Sequence, residues 1–208
     1  MNSITYQHEL RPVLPTVFGV KDYDEIFTDT TCVKANIYFP VDWLLFRDAT
    51  GTLMKAVMLI RSHGLRHRIR DPKYFITAMN KLCIEMTHAR KKKGAVKVRK
   101  NVVRKMKKLM KLVESHAKNY QEVLKTHWAE TDLSEIEAQV VLDRMQNVLD
   151  QLPAAVSQAH ERIIGGRRVA GKDKILSLYD QDVRVLVRGK AGAEVEFGNA
   201  LYPAEQAG

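Results

Sequence analysis

Residues 27–45 read Phe27-Thr28-Asp29-Thr30-Thr31-Cys32-Val33-Lys34-Ala35-Asn36-Ile37-Tyr38-Phe39-Pro40-Val41-Asp42-Trp43-Leu44-Leu45. From Glu25 to Phe39 the composition is β-branched and aromatic, which predicts one strand or two short strands joined at a bend. One carboxylate, Asp29, interrupts the run. Burying it unpaired would cost on the order of several kcal/mol, so it meets a cation or faces water. The commoner reading is a solvent-facing Asp that caps a turn. The other is a strand carboxylate holding Mg²⁺, a cation that takes oxygen ligands and keeps several of its waters. The local pattern leaves both open.

Working outward, the period changes from strand to helix at about residue 42 and stays helical to about 165. Leu44, Leu45, Leu53, Val57 and Ile60 lead to a glycine stop at Gly64. Asp71-Pro72 pairs a cap with a proline at the first helical position, followed by the stripe Phe75, Met79, Leu82, Cys83, Met86. A long third helix carries Val102, Met106, Leu109 and Val113 with Val103 and Met110. The fourth is expected to start at Asp132, with Glu135 as the reciprocal acceptor. Its stripe runs from Val141 to Ile163, Pro153 should kink or divide it, and Gly165-Gly166 should end it.

Beyond the helices, three segments read as strands: 174–179, 183–188 and 195–202. With a strand at the start and its partners at the end, the order implies one sheet interrupted by a helical insertion. The fold class expected is α+β. The expected segments are 1–41 with the first strand, 42–170 as a basic helical insertion, and 171–208 with two further strands.

Charge is the unusual part of the composition. The 208 residues hold 34 Lys and Arg against 24 Asp and Glu, a formal +10, which favours a polyanionic partner. Lacking a run of about 18 apolar residues, the sequence offers no spanning helix, and its N-terminus does not read as a signal peptide. Cys32 and Cys83 have no metal-ligand spacing and are expected to be free thiols in a reducing cytoplasm.

The stretch quoted at the outset resembles the opening motif of bacterial insertion-sequence DDE transposases. In those enzymes an Asp on the first strand of an RNase H-like sheet precedes a small pair, an Ala-Asn and a Tyr-Pro-Thr-Asp-like turn. Two further matches lie at Glu161–Gly166 continuing through Lys174–Asp182, and at Arg188–Asn199. The resemblance covers nearly the whole chain, and its β blocks are more specific than its helices. It implies an incomplete RNase H-like sheet with a large helical insertion between the first and second strands. It also implies Mg²⁺- or Mn²⁺-dependent cleavage and joining of DNA at element ends, in the nucleoid, with Asp29 as a catalytic and metal-holding residue. The family's second Asp and final Glu follow the third strand, so the chain is expected to be a truncated, inactive fragment without an N-terminal recognition domain. Its uncovered sheet edge would favour self-association. Lys34, Tyr38, Gln181 and Pro203 depart from the family pattern. Asp180 and Asp182 are read as a solvated turn, and Asp42 as a helix N-cap rather than a metal ligand.

Between Arg90 and Lys111 there are twelve Lys and Arg residues and no acid. Lys91, Lys92 and Lys93 fall in a linker; Lys97, Arg99, Lys100, Arg104, Lys105, Lys107, Lys108 and Lys111 decorate the next helix. Neutralising phosphates with such cations gives salt-sensitive, sequence-independent DNA affinity. A basic helical protein that binds DNA without catalysis is therefore the alternative to the transposase. The histidines form no convincing ligand set, and His63 and His67, four apart, lack an accompanying Glu or third ligand. Gly189-Lys190-Ala191-Gly192 lacks the spacing of a phosphate loop.

Overall fold

A computed structural model describes residues 26–28, 31–34, 42–89, 94–180, 182–190, 193–201 and 204–206. The described chain is α+β. Strands β1 (Ile26–Thr28) and β2 (Thr31–Lys34) come first. Helices α1 (Asp42–Ser62), α2 (Pro72–Ala89), α3 (Ala95–His127) and α4 (Glu135–Ala159) follow. Strands β3 (Arg184–Lys190), β4 (Ala193–Leu201) and β5 (Ala204–Gln206) come last. The strands make up one compact unit and the helices, through Val183, the other.

Among the described residues all strand pairing is antiparallel. β1 pairs with β5, and β4 lies between β2 and β3. Thr28↔Ala204 and Thr31↔Leu201 are three residues apart on both strands, so the two ladders share one register. Strands from either side of the helical block thus share a sheet. In the three-stranded sheet β2 neighbours β4 rather than β3.

In the helical unit α1 is the hub, touching α2, α3 and α4. That role explains its composition: buried residues such as Leu45, Phe46, Ala49, Thr50, Thr52, Leu53, Met54 and Ile60 cover a face broader than a single narrow stripe. Thr50 satisfies its hydroxyl internally, donating to the Phe46 carbonyl at 2.7 Å. The core then closes with Met79 and Met86 of α2, Met106, Met110, Tyr120 and Leu124 of α3, and Met145 and Leu152 of α4. So many methionines suit a core assembled at several crossing helices, because an unbranched side chain fills irregular gaps. At the start of α2 the structure agrees with the sequence: Pro72 is its first residue, and Asp71 accepts from the Lys73 amide at 3.0 Å.

Four local expectations are corrected. The N-cap of α4 is Ser134, not Asp132: its hydroxyl accepts from the Glu137 amide at 3.3 Å, and Glu137 accepts from the Ser134 amide at 2.9 Å. Two cap-x-x-Glu patterns overlap with an offset of two residues, and the one that completes both bonds prevails; Asp132 instead pairs with His63. Pro153 does not divide α4, which runs unbroken to Ala159 and passes into a π-turn over His160–Gly165, ended by Gly166 at φ 70°. Asp42 is not an N-cap but the first residue of α1. Its buried carboxylate accepts from Gln158 at 2.9 Å and Arg162 at 2.6 Å.

The fourth correction concerns residues 174–179, which join no ladder. The Lys174 amide donates to the Gly171 carbonyl at 3.3 Å, and further backbone groups of the segment bond to side chains. The Gln158 carboxamide accepts from the Ile175 amide at 2.8 Å and donates to the Ile175 carbonyl at 3.1 Å, imitating a neighbouring strand. Gln151 donates to the Leu178 carbonyl at 3.0 Å, and the Tyr179 and Thr52 hydroxyls lie 2.7 Å apart. Asp180 and Asp182 are exposed, with the Asp182 amide donating to Asp180 at 3.1 Å, as in a solvated turn.

Candidate nucleic-acid interface

Helix α3 owes its length to its composition. Lys, Arg, Met, Leu, Ala and Glu, all strong helix formers, occupy most of its 33 positions. Gly94, at φ 75°, turns the chain into it. Val102, Met106, Met110, Val113, Ala117, Tyr120 and Leu124 recur at helical spacing and are buried, which fixes which face meets the core.

That constraint sorts the cations. Lys97, Lys100, Arg104, Lys108 and Lys111, spaced by three or four residues, fall on the face opposite the core. Lys97, Arg104, Lys108 and Lys111 are exposed and Lys100 half-buried. At 1.5 Å per residue the stripe is about 21 Å long, the axial rise of about six phosphates on one DNA strand. Arg104 donates to Asn101 at 2.8 Å, a neutral partner, and forms no ion pair among the described residues. Lys97, Lys100, Asn101 and Arg104 line an open depression of about 800 Å³ at the start of the helix.

The remaining cations of the block point elsewhere. Arg99 lies on the apolar face, its guanidinium 5.8 Å from the centre of the Trp43 ring and its buried Nε without a hydrogen-bond partner among the described residues. Lys105 leans toward α2 and pairs with Glu85 at 3.6 Å. Lys107 reaches the π-turn, with Nζ 3.1 Å from His160 Nδ1. Lys91, Lys92 and Lys93 lie outside the described residues.

Asp29 also lies outside the described residues. Among those described, no three His, Cys, Asp or Glu side chains are grouped to hold a metal ion. The histidines have other surroundings. His63 bonds Asp132, and that hydrogen bond holds the Asp132 carboxyl below its usual range. His67 meets the Tyr120 ring edge-on at 6.0 Å, and His127 sits 2.8 Å from Glu130. His116 packs against Phe75 with 5.4 Å between ring centres. Its pKa is lowered by burial and secondarily by the nearby His67.

A second basic region escapes the sequence reading. Arg61, Arg66, Arg68, Arg70 and Lys73 crowd the α1–α2 connection. The signal was present as local charge, since Asp71 is the only acid between Arg61 and Lys73. No protein-family profile matches the chain, and no curated protein or solved structure is similar to it. No described helix is long and apolar enough to cross a membrane.

Proposed function

We propose that this chain is a DNA-binding protein of the DDE transposase type that grips the phosphate backbone with the outer face of α3. The observation that carries the DNA-binding part is the row Lys97, Lys100, Arg104, Lys108 and Lys111, held opposite the buried stripe of one rigid helix. Each cation that neutralises a phosphate releases condensed counterions, which drives association and makes it salt-dependent. The transposase part is supported by the motif at residues 27–45 and by the sharing of one sheet by strands from either side of the helical block. In this reading the sheet is RNase H-like and Asp29 is the family's first metal-holding carboxylate. The complete reaction is metal-dependent cleavage and joining of DNA at element ends, in the nucleoid. Bound Mg²⁺ would polarise the scissile phosphate and activate water.

Salt titration of duplex binding tests the interface. Replacing Lys100, Arg104, Lys108 and Lys111 by Gln removes four phosphate contacts and should lower the slope of log affinity against log salt by about 3.6. An unchanged slope would remove α3 from the interface. For Asp29, Mn²⁺ binding followed by water relaxation should be lost in Asp29→Asn while DNA affinity is kept. Equal Mn²⁺ binding by the variant would end the metal-ligand assignment and leave a non-catalytic DNA-binding protein.

A further inference from the structure

The α1–α2 connection is held too firmly to be a passive link. Helix α1 ends at Ser62, and Gly64 turns the chain at φ 96°. Leu65 is buried and Ile69 packs against the core. Between them the Tyr120 hydroxyl of α3 donates to the His67 carbonyl at 2.8 Å and accepts from the His67 amide at 3.1 Å. Tyr120 is fully buried, so this clasp fixes the loop from beneath.

The side chains between the anchors are cationic. Arg66, Arg68 and Arg70 are exposed, and among the described residues none forms an ion pair with an acid. Arg70 stacks its guanidinium 3.6 Å from the centre of the Tyr74 ring. Stacking orients the fork while leaving its in-plane N–H donors free. Beside it, Arg61, Ser62, Arg66 and Lys73 line a cleft of about 480 Å³. Asp71, also on its wall, accepts from the Lys73 amide at the first turn of α2. Arginine forks on a rigid loop match phosphate oxygens by paired, charge-assisted hydrogen bonds, a geometry that lysine cannot supply.

We propose that this arginine loop is a second DNA-backbone contact, separate from the α3 stripe, with Arg66, Arg68 and Arg70 each engaging a phosphate. The proposal rests on the DNA-binding reading above and extends it to a second surface. The test uses the full chain and a fluorescent 30-base-pair duplex, with anisotropy titrations between 50 and 200 mM KCl. Replacing all three arginines by Gln should lower the salt slope by about 2.7 and weaken binding by roughly tenfold or more at the mid-range salt. Arg68→Gln alone, at an exposed position that leaves the clasp intact, should lower the slope by about 0.9. A control in which the exposed Lys55, Lys81 and Lys125 become Gln carries the same change in net charge and should keep the native slope. If the loop variants behave like that control while the α3 variant loses slope, the second contact is overturned and the first stands. If the unaltered chain fails to bind the duplex, the DNA-binding reading itself falls.

Discussion

Gln158→Leu should destabilise the helical unit by about 3 kcal/mol. The side chain is 6 % exposed and makes three hydrogen bonds, two to the Ile175 backbone and one to the Asp42 carboxylate. A bond between neutral groups contributes about 1 kcal/mol net, and one to a charged acceptor about 1.5–3 kcal/mol. Leucine fills most of the same space but satisfies none of the three partners. Ile175 is only half-buried, so water recovers part of the loss, and Asp42 keeps Arg162 at 2.6 Å. The sum of the three bonds, about 3.5–5 kcal/mol, is therefore reduced to about 3. For a unit of this size that corresponds to a fall in Tm of about 6–12 °C, readable by circular dichroism. Amide exchange should report the same event locally, with residues 174–179 exchanging faster. Gln158→Glu sharpens the test, because it sets a second carboxylate against Asp42. The new group's folded pKa is raised, so its deficit is largest above that pKa and shrinks as pH falls through it. A loss below about 1 kcal/mol in Gln158→Leu, with native exchange at Ile175, would refute the view that a side chain stands in for a strand.

His116 gives a pH prediction: its folded pKa lies below the ordinary 6.5, through burial first and His67 second. Above 6.5 both states are neutral and stability is flat; as pH falls below it the unfolded chain takes up the proton more readily, so stability declines. Urea melts between pH 7.5 and 5.5 should show that decline, reduced in His116→Phe; identical profiles would dissociate it from His116. Burial also pushes the Cys83 thiol up to about 11, so alkylation at pH 8, mapped by mass spectrometry, should leave Cys83 unmodified until denaturant is added. Rapid labelling of the folded chain at Cys83 would contradict the burial.

The helices were readable because their stripes repeat over many turns, and α2 carries both its cap and its proline where the pattern expects them. What the sequence concealed depended on distant partners. Residues 174–179 have strand composition, yet Ile175 bonds through both its backbone groups to Gln158, seventeen positions earlier, and no local rule points there. The start of α4 offered two overlapping caps, and His63, far off in sequence, took Asp132 out of the contest. The basic block was legible as charge but not as geometry. Arg99 lies three residues before Val102 and seven before Met106, on the apolar stripe, and only that periodicity separates it from the outward cations. The arginine loop was obscured for the opposite reason: its charge lies between helices, where periodicity has nothing to say.

The strand pairing also bears on how the chain folds. Lys34, where β2 ends, and Arg184, where β3 begins, both lie opposite Gly198 of β4. The helical excursion therefore leaves and rejoins the sheet at points about 10 Å apart, two strand spacings. Thr31 and Leu201 are 201 − 31 = 170 residues apart in the chain, and closing a flexible loop of that length costs about 4.5 kcal/mol in entropy. Ladders of three and four residues are poor compensation for such a closure. Helices that have already condensed shorten the loop to the few connecting residues at their two ends. Condensing the helices first would therefore lower the entropy cost of pairing the first and last strands.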